Sequence, residues 1–326
     1  MGPYADTSAR QNAGHIPERK PKGTVGESSR RVGVAAAPVH HGEILQGAFP
    51  HPAGPIRGLV TLPCAMYSVR ATFAPGAATG VTVAPGWKSK ARAAAELTLA
   101  ALGSAAGGRL ELSGDVPLGR GFGSSTSDVL AAIMAVSSAF SVPLAPETAA
   151  RIAVRAEIAS DSLMFGGSAV LFAHREGEVI EDYGATLPQV RILGFGSRPL
   201  SGGACQGVNT VALPPARYTR RETERFAELR VMLREAIATK DVGLLGEVAT
   251  TSTRINQRHL PIPALHRILA IVDEVGALGL QTAHSGDISG IILDRDDPDV
   301  DACTDYAQHL LRDVGIVEQW KFNTDD

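Results

Sequence analysis

Residues 117–128 of this chain read Pro117-Leu118-Gly119-Arg120-Gly121-Phe122-Gly123-Ser124-Ser125-Thr126-Ser127-Asp128, and they separate two segments of different periodicity. Before them, GRLELSGDV at 108–116 alternates Leu110 and Leu112 with polar neighbours, as a half-buried strand does. After them, Val129, Leu130, Ile133 and Met134 follow helical spacing. A strand, a glycine turn and a helix start in succession leave few folds open. Glycines allow positive φ and close approach of the backbone to a ligand. The first-turn N–H groups of the helix have no intrahelical partners. Together with the helix dipole they suit an anion. Ser125 and Asp128 also fit a capping box, so a capped helix after a flexible turn accounts for the same residues without a ligand. The loop is not a Walker A sequence, because no Gly-Lys-Ser/Thr follows, and it is not a G-x-S-x-G elbow. A dinucleotide fingerprint also fails, because Thr126 stands where the third glycine belongs.

The flanking pattern predicts an α+β fold. Strands are expected at VGVAAAP from Val32, at Gly58 to Thr72, at 77–86, 167–173, 177–182, 191–196 and 290–294, and finally at 315–322. Helices are expected at 88–103, from the loop to about Phe140, and at 146–160, 219–239, 241–257, 262–278 and 298–312. Strict βαβ alternation is missing, which argues against a doubly wound sheet. Residues 1–31 are polar and lack an apolar signal region, so they read as a disordered tail. At 326 residues the chain has room for two domains. The pattern restarts near 188, which divides it into 32–187 and 188–326.

Composition narrows the partners. A net charge of -3 argues against nucleic-acid wrapping. Three dispersed cysteines, Cys64, Cys205 and Cys303, favour neither a disulfide framework nor a zinc knuckle, and they suit a reducing cytoplasm. No apolar run reaches membrane-spanning length. The expected partner is therefore a small molecule, and a homodimer is compatible with the sequence.

The loop also resembles the phosphate loop of the GHMP kinases, P-x-x-x-G-(L/F/M)-(G/A)-S-S-(A/S/T). Pro117, Gly121, Phe122, Gly123, Ser124, Ser125 and Thr126 fill that pattern in register. Two further segments are similar to the L-threonine kinase branch of that family. In Ala37-Pro38-Val39-His40-His41-Gly42-Glu43-Ile44-Leu45-Gln46-Gly47, the residues Pro38, Gly42, Glu43, Gln46 and Gly47 match, while Val39 replaces a glycine and His40 and His41 replace small residues. This segment reads physically as a strand-to-turn passage with one carboxylate at its tip, and its adjacent histidines point to opposite sides. Residues 279–290 form a loop, GLQTAHSGDISG, in the place of the family's third motif.

The resemblance implies a two-domain GHMP kinase fold, with an N-terminal ribosomal-protein-S5-like domain that binds ATP and a ferredoxin-like C-terminal domain. It implies ATP and Mg2+ as cofactors. Phosphate contacts would come from Pro117, Gly119, Gly121, Phe122, Gly123, Ser124, Ser125 and Thr126. Acceptor contacts would come from Glu43, Gln46, His284, Ser285 and Gly286. Glu157 and Asp161 are spaced i, i+4, which on a helix places both carboxylates on one face; alternatively, Asp161 opens the loop after the helix. By resemblance Glu157 binds Mg2+ with the Ser125 hydroxyl, Asp161 orients or deprotonates the acceptor, and Arg120 neutralises the transferring charge. Lys88 and Lys90 are candidates for the mouth of the nucleotide site, and Trp87 for packing against a base. The implied reaction is phosphorylation of a small hydroxy amino acid, L-threonine first and L-homoserine second. Another small-alcohol kinase and a non-catalytic metabolite sensor of the same fold are the alternatives.

Overall fold

The computed structural model describes residues 31–117, 120–196, 216–283 and 288–325. Residues 1–30 of the tail expected at 1–31, Gly119, Cys205, His284, Ser285 and Gly286 lie outside the described residues. Two long antiparallel strands, β1 (Gly33–Phe49) and β2 (Ile56–Gly76), form the spine. The short strands expected here are thereby corrected, and so is the strand-to-turn reading of 37–47. β1 continues through Glu43, which is 2% exposed inside the strand and not at a turn tip. Pro38 and Gly42 look like strand breakers in isolation, but they sit at register shifts between Pro38 and Val39 and between His40 and Glu43. Bulges of this kind bend a strand without ending it.

Next come β3 (Val81–Ala84), α1 (Ser89–Ala101), β4 (Gly107–Gly114), α2 (Ser124–Phe140), α3 (Pro146–Glu157), β5 (Val170–Ala173), β6 (Glu178–Asp182) and β7 (Arg191–Gly196). The remainder is α4 (Arg220–Thr239), α5 (Val242–Asn256), α6 (Leu265–Glu274), β8 (Gly279–Thr282), β9 (Ile288–Leu293), α7 (Val300–Asp313) and β10 (Gln319–Asn323). The α+β class holds. The sheet runs β10-β7-β9-β8-β1-β2-β4-β3, antiparallel except for β3 beside β4. β1 meets β8 at Glu43 and Thr282. The loop expected from 279 therefore begins as a strand: Gly279–Thr282 is buried throughout and pairs with β9. Gly279 had suggested a loop, but here glycine serves close packing. A Cβ on Gly279 would lie 2.3 Å from the Gly246 carbonyl of α5, so the helix and strand touch backbone to backbone.

The helices bury most of the faces their spacing predicts, although Met134 of α2 is exposed. In α2, Val129, Ile133 and Val136 are buried, and Ala131, Ala135 and Ala139 let the helix lie close on β1. Phe226, Leu229, Leu233 and Ala236 of α4 join the cluster around Phe49 of β1. Thr219 caps α4 through a reciprocal box with Glu222. Among the described residues no helix is long and apolar enough to cross a membrane. Phe226 is fully buried between Phe49 and Tyr218. Phe226→Ala should therefore lower stability by about 3–5 kcal/mol in urea unfolding, and a loss below about 1 kcal/mol would place it outside the core.

Candidate active site

Gly121 and Gly123 take φ of +87° and +67°, which turns the chain directly into α2. Gly123 is the N-cap residue, and no side chain caps the helix. The capping-box reading is therefore corrected. Asp128 turns away to pair with Lys88, and burial raises its carboxyl pKa while Lys88 opposes the shift. Ser124 and Ser125 are only half-buried, so the uncapped first turn keeps the donors that suit an anion.

β1 fixes this turn from behind. The His40 N–H donates to the Phe122 carbonyl at 3.3 Å. The Ser127 hydroxyl donates to the Pro38 carbonyl at 2.7 Å. Phe122 is buried, with its ring 5.2 Å from Tyr67 and from Trp320 of β10. The two histidines do point to opposite sides. His41 enters an aromatic cluster with Phe122, Trp320 and Phe322, and burial lowers its pKa to about 3. His40 faces the carboxylates.

Those carboxylates come from a helix end and the loop behind it. α3 stops at Glu157, and Ile158 takes φ +75°, a strained value for a β-branched residue. Asp161 therefore approaches from the loop, which settles the choice left open by the i, i+4 spacing. The Ser125 hydroxyl donates to Glu157 Oε2 at 2.6 Å. The Thr126 hydroxyl lies 2.9 Å from Glu157 Oε1 and 3.2 Å from Asp161 Oδ2, so it bridges the two. Lys90 donates to Ser125 Oγ at 3.0 Å, and its ammonium is 3.9 Å from Glu157 Oε2. Burial pushes the Glu157 carboxyl above the usual range, against the pull of the Ser125 hydrogen bond and Lys90. His40 Nε2 lies 2.9 Å from Asp161 Oδ2. A Glu43 carboxylate oxygen falls within 4.8 Å of ligating atoms of both His40 and Asp161.

The structure thus gathers Ser125, Thr126, Glu157, Asp161 and Glu43. Gln46 is held through its backbone, by Ser252 and Asn256 of α5. Pro117 stands at the edge of the described segment before the loop. Arg120 is turned to an ion pair with Glu318, just before β10. A pocket of about 200 Å³ beside Ser124 is lined by Pro85, Trp87, Lys88, Leu112 and Val116. A second, about 300 Å³, opens beside Ser162 and is lined by Pro38, Thr61, Pro63, Leu163 and Phe165. Sequence reasoning gave His40 no role, although a large imidazole in the place of a small residue was the available signal.

Residues 89–173 match the GHMP kinases N terminal domain. An L-threonine kinase of Citrobacter freundii is 27% identical over 212 residues, 65% of this chain and 70% of that protein. Over these residues the chain is similar to the GHMP kinases. A homoserine kinase of Moorella thermoacetica is 26% identical over 55% of this chain, a match that spans 60% of that protein's own length. The fold matches a crystal structure of homoserine kinase from Cytophaga hutchinsonii, with TM-score 0.64, 14% identity, and coverage of 91% of this chain and 96% of that one.

The raised Glu157 pKa makes a stability prediction. Below about 4.5 its carboxyl is protonated in folded and unfolded chains alike, so Glu157→Gln should be silent there. As pH rises through the elevated folded value, the wild type loses stability that the glutamine variant keeps. In metal-free buffer, Glu157→Gln should melt higher than wild type near pH 8 and equally near pH 4. Equal melting at both would show that ionising Glu157 carries no cost.

Proposed function

We propose that this chain transfers the γ-phosphate of ATP to the hydroxyl of a small hydroxy amino acid, with L-threonine preferred over L-homoserine. One observation carries the reading. Ser125 and Thr126, in the first turn of an uncapped helix, bind the same buried carboxylate that a cation on bound phosphates would need. The donor set suits Mg2+, which prefers hard oxygen ligands and keeps phosphate oxygens and waters. Ser125 and Glu157 would hold the ion, which when bound neutralises charge on the phosphate oxygens. Backbone N–H groups around Gly121 to Thr126 cradle the terminal phosphates. Lys90 adds positive charge beside Ser125. The pocket at Trp87 and Lys88 takes the nucleobase, and Lys88 already lies 4.5 Å from the Trp87 ring centre.

The acceptor end favours an amino acid. Glu43 and Asp161 form a buried acidic pair that suits an ammonium group. Asp161 orients the acceptor hydroxyl. The pocket at Thr61 and Ser162 gives the carbon skeleton an apolar wall with two hydroxyls. By the resemblance, His284, Ser285 and Gly286 would contribute contacts to the acceptor. Arg120 would reach the transferring phosphate only by leaving Glu318. In this proposal 32–187 supply the nucleotide site and 188–326 close over the acceptor. Glu157 and Asp161 joined through the loop's own hydroxyls favour catalysis over sensing, because a sensor needs no such coupling.

The test is ADP release over a panel of hydroxy amino acids, with mass spectrometry of the product. O-phosphothreonine should dominate. Glu157→Ala should lower turnover by about 100-fold or more while circular dichroism stays unchanged. A wild type inert toward the whole panel would overturn the reading.

A further inference from the structure

We propose that His40 is a positioning residue, holding the Asp161 carboxylate in register with the first turn of α2. This deepens the kinase reading above and rests on it. Three features of the structure support it.

The ring is held by a hydrogen bond at Nδ1 and lies close to a carboxylate at Nε2. The Gly42 N–H donates to Nδ1 at 3.2 Å, so Nδ1 acts as acceptor and the proton sits on Nε2. Nε2 lies 2.9 Å from Asp161 Oδ2. The tautomer is thus set by the bulge at Gly42, whose φ of +73° aims its N–H back at the ring.

The ring also occupies space the phosphate loop must yield. A Cβ built on Gly123 would fall 2.0 Å from His40 Nε2 and Cδ2, so Gly123 and His40 interlock. The adjoining backbone is tied as well, through the His40 N–H and the Phe122 carbonyl. One residue therefore touches the loop and the acceptor-side carboxylate together.

Finally, Asp161 leaves the helix that carries Glu157. The strained turn at Ile158 frees it from α3, so the helix itself does not set its direction. Thr126 and His40 both reach the same oxygen, Oδ2. That anchorage fixes how the carboxylate is turned relative to phosphates cradled one residue away. His40 is fully buried, so its 2.9 Å contact with Asp161 acts in low dielectric, where orientation is held strongly.

The experiment compares His40→Leu with His40→Gln, whose side-chain N–H extends about as far as imidazole Nε2. His40→Leu should lower kcat by about 10-fold to 100-fold with KM for ATP within about twofold, and His40→Gln should recover most of the loss. Equal kcat in the two variants, or a loss confined to KM for ATP, would overturn positioning in favour of loop packing. If His40→Leu does not fold, His40→Asn replaces it, since its shorter amide does not reach Asp161. The pairing is also read without turnover, in a two-bond 1H–15N spectrum of the histidines. Wild-type His40 should show the Nε2–H tautomer, and Asp161→Asn should shift its Nε2 resonance. An unmoved resonance overturns the pairing. A wild type inactive on every hydroxy amino acid overturns the kinase reading instead, and the spectrum still decides the pairing.

Discussion

Two buried carboxylates face each other across a single threonine hydroxyl, and the rest of the site is organised around that contact. Glu157 and Asp161 are both about 95% or more buried, and burial disfavours the charged form of Glu157. Neither can be left without partners at acceptable cost. The loop supplies those partners from its own residues: Ser125 and Thr126 to Glu157, and Thr126 to Asp161. The anion cradle and the acidic centre are consequently one hydrogen-bonded unit. A shift in either displaces the other.

The long hairpin of β1 and β2 makes that unit rigid. Pro38 and His40 in β1 bind Ser127 and the Phe122 carbonyl, so the strand grips the turn on both sides of the helix start. The hairpin's bulges serve the same end. Around Gly42 the strand changes register and brings His40 and Glu43 toward Asp161. Trp320 and Glu318 reach the loop from the far end of the sheet, through Phe122 and Arg120. The turn at 121–125 is thereby held by β1 beneath it and by β10 beside it.

The site is costly to fold, and its placement explains why it persists. Desolvating Glu157 works against stability, and a strained backbone at Ile158 adds to that cost. The apolar clusters around Phe49 and Phe73 and along α2 offset it.

Much of this was legible in the residues. Glycine positions, the apolar spacing after Asp128 and the pairing of Glu157 with Asp161 reported local conformation and local chemistry, which depend on neighbours close in sequence. The helix start at Ser124 and the helices after Pro146 and Thr219 came through that way, whereas the gathering of Ser125, Glu157 and Asp161 was expected only from the family resemblance. Long-range pairing could not be read. Pro38 and Gly42 looked like breaks until β2 supplied the ladder that carries β1 past them. Gly279 looked like a loop until α5 required a residue without a side chain. Asp128 looked like a cap until Lys88, 40 residues away, claimed it. His40 had no visible purpose until the loop after α3 brought Asp161 to its ring. The sequence alone determined which groups could bind phosphate and carry charge, because that is a property of residue types and spacing. Which of those groups meet, and which oxygen each one holds, was decided by the tertiary structure, because those contacts join residues that are distant along the chain.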